Sequence, residues 1–134
     1  MRVTLNLAAA VLTIGIGITL YVTQAQPRAD IKRTDLQRHD LSVPGREVVQ
    51  VRVDIPAGTS FPKHSHPGEE VVYMIEGELE YQLEGRAPVT LKAGEVLFIP
   101  PGTVHAVRNA GSTNGAELAT YIVEKGKPLL TLAK

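Results

Sequence analysis

The stretch KHSHPGEE, residues 63–70, decides the fold and raises the question of a metal site. In an extended strand, residues i and i+2 point to the same face with Cα atoms about 7 Å apart, so His64 and His66 project together. A Pro-Gly pair then turns the chain, and Glu70 can return on the neighbouring strand with its carboxylate near both imidazoles. Two imidazoles and a carboxylate are ligands that a divalent metal accepts.

A fourth candidate ligand, His105, lies 35 residues after Glu70 and follows the turn-forming stretch PPGT, residues 100–103. Three of the four histidines therefore occupy comparable places in two strand-turn-strand units. The fourth, His39, lies in a charged segment and is interpreted as a surface group. A turn shifted by one residue would offer Glu69 instead of Glu70, but the spacing favours Glu70.

Short strands punctuated by glycine and proline surround these residues. The stretch VVQVRVDI, residues 48–55, alternates valine and isoleucine with polar residues, which predicts a half-buried strand. Further short strands are predicted within residues 71–75, 79–83, 89–102 and 117–126. Because no segment has a convincing helical stripe, the pattern indicates an all-β, antiparallel sandwich or barrel.

The spacing of these residues resembles the two sequence motifs of the cupin family. The first motif is matched by Gly58, His64, His66, Glu70 and Gly77, and the second by Gly94, Pro100, Gly102, His105 and Asn109. The resemblance covers about residues 48–123, and the 16 residues between the motifs are similar to the spacing in small single-domain bacterial cupins. This joint pattern is far more specific than one His-x-His.

The resemblance implies a double-stranded β-helix, a jelly-roll-like barrel that holds one metal ion. His64, His66, Glu70 and His105 are carried over as its ligands. The family is often dimeric, so a homodimer remains open.

The chain divides into three predicted segments. Residues 1–25 carry an uncharged run with an apolar centre and are predicted to be a signal peptide or, if uncleaved, a membrane-anchor helix. Residues 26–46 form a charged arm that leads into the barrel, which occupies residues 47–134. We therefore expect a periplasmic or secreted protein, in contact with a membrane only if the first segment is retained. The 134 residues include no cysteine, so stability must come from the core, a metal or a partner subunit.

Composition limits the classes of partner. Lys plus Arg and Asp plus Glu number 14 each, so no basic field exists to hold nucleic acid. The expected partner is a small-molecule substrate or ligand.

The ligand set leaves the metal open among Fe, Mn, Ni, Co, Cu and Zn. Three imidazoles and a carboxylate would saturate tetrahedral zinc, which is typical of a structural site. An octahedral Fe, Mn, Co or Ni ion would keep two positions for substrate and for O₂ or water.

Strand parity predicts the pocket walls. Alternate residues of a strand face the same side, so Val72 and Met74 should point inward with Glu70, and Val107 with His105. Phe98 is predicted as a further apolar wall, and Arg52 as a polar one. If Arg52 faces inward, its guanidinium can clamp a carboxylate; the alternative is a solvated Arg52 with the flanking valines inside. Tyr73 and Tyr81 are expected to share the outer face.

The leading hypothesis is an exported cupin with one three-His, one-Glu metal centre, acting as a dioxygenase-type oxidoreductase on a small molecule. Glu70 is the candidate catalytic residue, since it could also accept a proton. One alternative is a non-catalytic module that binds a small ligand or a metal. The other is an O₂-independent isomerase or lyase, which is disfavoured because no further general base is evident.

Overall fold

The computed structural model describes residues 30–134, which contain strands and turns. The signal or anchor segment predicted for residues 1–25 lies outside the described residues. Within residues 30–134, no helix is long and apolar enough to cross a membrane. The all-β prediction is confirmed for this part of the chain.

Ten strands follow one another along the described chain. They are β1 (Lys32–Asp40), β2 (Arg46–Ile55), β3 (Ser60–Ser65), β4 (Gly68–Glu76), β5 (Glu78–Leu83), β6 (Val89–Lys92), β7 (Val96–Ile99), β8 (His105–Arg108), β9 (Gly115–Glu124) and β10 (Thr131–Leu132). All pairs are antiparallel. The first sheet has the order β1-β2-β9-β4-β7 and the second the order β10-β3-β8-β5-β6.

The core lies between the two sheets. In β2, Val49, Val51, Val53 and Ile55 are buried, and the residues between them are partly exposed. Side chains of the second sheet, including Leu79 and Leu83, join the same apolar cluster. The period-2 pattern of the sequence is therefore the pattern of burial, as expected for a sheet with one buried face.

Two predicted pocket walls face outward. The prediction for Phe98 was wrong, and for Arg52 the alternative holds, with the arginine outside and the flanking valines inside. Arg52 lies on the outer face of β2, where it pairs with Asp54 at 2.8 Å and with Glu76 at 3.2 Å. Phe98 is 55 % exposed on β7, opposite Val71 of β4. Burial of the alternating valines in β2 and of Ile99 in β7 fixes these two side chains on the opposite face.

The outer face of β4 and β7 carries exposed apolar side chains, namely Val71, Tyr73, Ile75, Val96 and Phe98. Tyr73 lies there as predicted. Tyr81 does not, because it belongs to β5 of the second sheet and is 2 % exposed. A homodimer stays a prediction.

Part of the charged arm is itself a strand. β1 pairs with β2 along the edge of the first sheet, with a bulge between Asp35 and Gln37. Arg33 stands opposite Val53, an inward-facing residue of β2. Since directly paired residues share a face, Arg33 lies on the side of the sheet that faces the core.

Candidate metal centre

The four predicted ligands meet between the sheets. His64 and His105 are paired residues of β3 and β8 in the second sheet, and His66 directly follows β3. Glu70 comes from β4 of the first sheet. Each of the four is at most 5 % exposed, and the candidate ligand atoms of the three histidines lie within 4.8 Å of one another. Three buried histidines are thus positioned to bind one metal ion.

Backbone carbonyls orient all three imidazoles. Nδ1 of His64 donates to the carbonyl of Pro62 at 2.8 Å, and Nδ1 of His105 donates to that of Thr103 at 2.9 Å. Nδ1 of His66 donates to the carbonyl of Leu129 at 2.6 Å. Since a carbonyl can only accept, each Nδ1 carries the proton, and in the neutral ring Nε2 is left as a lone-pair donor to a metal.

Glu70 faces two of these nitrogens. Its Oε2 lies 3.1 Å from Nε2 of His105 and 3.3 Å from Nε2 of His66. Oε2 of Glu70 and Nε2 of His66 are buried without a hydrogen-bond partner, because a neutral Nε2 and a carboxylate oxygen are both acceptors. Buried acceptors that face each other need a proton or a metal cation between them, and this donor set fits a divalent metal.

Electrostatics keep this arrangement ready for a cation. Burial lowers the pKa of His64 to about 4, so its imidazole is neutral near pH 7. Burial alone would raise the pKa of Glu70, but its close contacts with His105 and His66 outweigh burial and lower the pKa to about 2. Burial would lower the pKa of His105, whereas the contact with Glu70 outweighs it and raises that pKa. The negative charge of Glu70 thus favours positive charge at His105, which a bound cation would supply.

A narrow cavity adjoins the ligands. Its volume is about 10 Å³, which is room for about one water molecule. The walls are formed by His64, Glu70, His105, Val53, Ile55, Phe61, Val107, Arg33, Tyr81, Glu117 and Tyr121. Val107 lines the cavity as predicted, whereas Val72 and Met74 face the interior without lining it. We name this space the metal cavity.

Four polar residues of the metal cavity were missed by the sequence analysis. Glu117 and Tyr121 come from β9, and Tyr81 of β5 donates its hydroxyl to Oε2 of Glu117. Burial raises the pKa of Glu117 to about 8 and also raises the pKa of each of the two tyrosines. Arg33 donates from Nη2 to the hydroxyl of Tyr121 at 3.3 Å. A carboxyl group able to transfer a proton therefore lies beside the ligands, although the sequence analysis found no further general base.

Comparison with known proteins agrees with this geometry. Residues 51–122 match the family described as Cupin domain. The chain is 43 % identical over 56 residues to dimethylsulfoniopropionate lyase DddQ of Ruegeria pomeroyi, covering 42 % of this chain and 28 % of the relative. It is 37 % identical over 73 residues to the oxalate-binding protein of Thermotoga maritima, covering 54 % and 60 %. The chain thus spans less than two thirds of the length of these relatives.

Solved structures resemble the fold as well. The DddQ crystal structure superposes with a TM-score of 0.59 at 30 % identity, covering 64 % of this chain and 43 % of that one. An uncharacterized Klebsiella pneumoniae protein with a double-stranded β-helix domain has a TM-score of 0.65 at 23 % identity, covering 85 % and 91 %. The second likeness concerns the fold alone.

Proposed function

This chain belongs to the cupin domain family, and from that premise we propose that it is a mononuclear, metal-dependent cupin enzyme acting on a small molecule. The observation that carries the proposal is the buried pair of acceptors, Nε2 of His66 and Oε2 of Glu70, 3.3 Å apart. We assign His64, His66, Glu70 and His105 as the metal ligands. The barrel is proposed to be the double-stranded β-helix of this family.

The residues of the chain prepare the site before any substrate arrives. Hydrogen bonds to backbone carbonyls fix the ring orientation of all three histidines, so little reorganisation accompanies binding. When bound, an octahedral divalent metal supplies Lewis acidity and open coordination positions. Apolar walls at Val53, Ile55 and Phe61 keep bulk water away, which strengthens electrostatic contacts inside the cavity.

For the reaction class, we retain a dioxygenase-type oxidoreductase as the first candidate. Its support is the ligand set, which leaves two positions open on an octahedral ion, and the water-excluding walls. In this candidate Glu70 holds the metal and could accept a substrate proton if its metal bond loosens.

A lyase or isomerase that needs no O₂ is the second candidate, and the cavity favours it at one point. Glu117 keeps its proton near pH 7 and accepts a hydrogen bond from Tyr81, so the pair can give or receive a proton beside the ligands. Similarity to a relative named as a lyase supports the same class.

Metal binding is tested first, on protein purified without an affinity-tag metal. We expect about one equivalent of a divalent ion by elemental analysis, and His105→Ala should weaken Co²⁺ binding at least tenfold in calorimetry. His39→Ala is the matched control, because His39 lies outside the site, on β1. Equal Co²⁺ affinity in wild type and His105→Ala would contradict the metal assignment.

Reaction class is then tested by assaying the metal-loaded protein with chelating phenols, enols and small carboxylates, with and without O₂. Turnover coupled to O₂ consumption supports the dioxygenase, and anaerobic turnover that falls in Glu117→Gln supports the lyase or isomerase. Ligand binding without turnover under both conditions would contradict an enzyme and leave a non-catalytic binding module.

A further inference from the structure

One cationic side chain reaches the metal cavity, and it comes from outside the region that matches the family. Among the described residues that line this cavity, Arg33 is the only lysine or arginine. It belongs to β1, whereas the family match begins at residue 51. Its register opposite Val53 places it on the inward side of the first sheet, at the edge of that sheet.

Arg33 is held loosely. Within residues 30–134, its side-chain hydrogen bond goes to the hydroxyl of Tyr121 at 3.3 Å, and its guanidinium carbon lies 5.9 Å from the centre of that ring. The residue itself is exposed. Because a guanidinium has five N–H donors in a planar fork, donors remain for a ligand at the cavity mouth.

The charges around the cavity favour an anion. A divalent metal held by neutral histidines and ionised Glu70 carries a net charge of about +1, and Arg33 adds another positive charge. Glu117, the second carboxyl in the cavity, is buried and bonded to Tyr81. An anionic group placed between the metal and Arg33 would therefore meet positive charge on both sides.

We propose that Arg33 and the metal together form a carboxylate-binding subsite, which makes small carboxylates the substrate class. This inference rests on the proposed metal site. The planar fork of an arginine matches the two oxygens of a carboxylate, and a carboxylate oxygen is a good ligand for a hard divalent ion. In this arrangement one carboxylate oxygen occupies the cavity of about 10 Å³, and the other lies at its mouth beside the exposed Arg33.

The test uses the Co²⁺-loaded protein, whose visible absorption changes when a ligand reaches the metal. We expect acetate and oxalate to change the spectrum of the wild type, and Arg33→Gln to weaken their binding at least tenfold, as expected for a hydrogen bond to a charged group. Arg33→Lys should lie between the two, since it keeps the charge but loses the fork.

Two controls separate a direct contact from other effects. Lys32→Gln removes the same charge from the neighbouring residue of β1, whose side chain points to the other face, and should leave acetate binding within about twofold. Imidazole, a neutral ligand, should bind equally to the wild type and to Arg33→Gln. The affinity for Co²⁺ should also be the same in both proteins.

The outcomes distinguish the two proposals. If Co²⁺ does not bind the wild type, the metal site fails and the subsite fails with it. If Co²⁺ binds but acetate and oxalate leave the spectrum unchanged, or bind Arg33→Gln as tightly as wild type, only the subsite is overturned. Equal weakening of imidazole and acetate in Arg33→Gln would also overturn it, because Arg33 would then act on the shape of the cavity.

Discussion

Gly77, between β4 and β5, tolerates no side chain for two separate reasons. Its φ of +68° lies in the left-handed region, and an added Cβ would stand 2.3 Å from the carbonyl oxygen of Asn114. Gly85 has a similar φ of +75° but open space around it. We expect Gly85→Ala to cost roughly 1–2 kcal/mol of unfolding free energy, and Gly77→Ala roughly 1–3 kcal/mol more. Urea unfolding of both variants measures this difference, and equal losses would contradict the close approach.

Glu117 makes stability depend on pH in a defined direction. Burial raises its pKa from 4.5 to about 8, so between these values the folded state holds a proton that the unfolded state has lost. The free energy of unfolding should therefore fall as pH rises through this window, by at most about 1.4 kcal/mol per pH unit. Glu117→Gln cannot lose a proton and should escape this fall.

The measurement is urea unfolding of wild type and Glu117→Gln in the presence of a chelator, between about pH 5 and about pH 8. The stability of the variant relative to wild type should increase steadily with pH. A difference that stays constant across the window would mean that Glu117 is already ionised in the folded protein.

At the scale of single elements, the C-terminal strand supports the metal site. Backbone pairing of β10 with β3 brings Leu129 to His66, whose Nδ1 donates to the Leu129 carbonyl. We expect a chain shortened to end at Lys127 to bind Co²⁺ about 10–100-fold more weakly, the usual effect of removing such a partner. A chain ending at Leu132 keeps this hydrogen bond and serves as the control. If calorimetry gives the same Co²⁺ affinity for the two shortened chains, this segment does not support the metal site.

Strand parity allowed part of the site to be predicted. The spacing of His64, His66 and Glu70 places the three side chains around one point, and the structure brings them there with His105. The inward direction of Val107 followed from the same rule and was correct. These predictions needed only the geometry of one strand and one turn.

Parity fails where the chain changes sheet or where both faces are apolar. Tyr81 was placed on the same face as Tyr73 by continuing the alternation of faces past Gly77. Because β4 and β5 belong to different sheets, the alternation in β4 does not determine which residues of β5 face inward. In β7, Val96 and Phe98 are as apolar as Leu97 and Ile99, so composition does not decide which pair is inside.

Long-range contacts account for the residues that were missed. Arg33 lies in a charged stretch that reads as a solvated arm, and its place at the metal cavity appears only once β1 pairs with β2. Glu117 shares the parity of Ala119 and Tyr121, which was the available sign of an inward carboxyl. The opposite face of β9, with Leu118 and Ile122, is equally apolar. The alternation in sequence therefore does not show which of the two faces is buried.

For the whole molecule, metal binding should appear as added stability. A ligand that binds only the folded state stabilises it by about 2.7 kcal/mol at a free concentration of 100 times its Kd. For a domain of this size we expect a rise in Tm of roughly 10 °C or more when Co²⁺ is present at that excess. His105→Ala should show a much smaller rise under the same conditions in a thermal scan. An equal rise in both would place the stabilising ion elsewhere.

The origin of the ligands in both sheets has a consequence for how the domain comes apart. Glu70 belongs to the first sheet, while His64 and His105 belong to the second. A shared ion would therefore cross-link two sheets whose other contacts are mainly apolar packing. In the metal-loaded protein, the amide hydrogens of both sheets should exchange through one common unfolding event. Without the ion, each sheet should be able to unfold locally and exchange independently of the other.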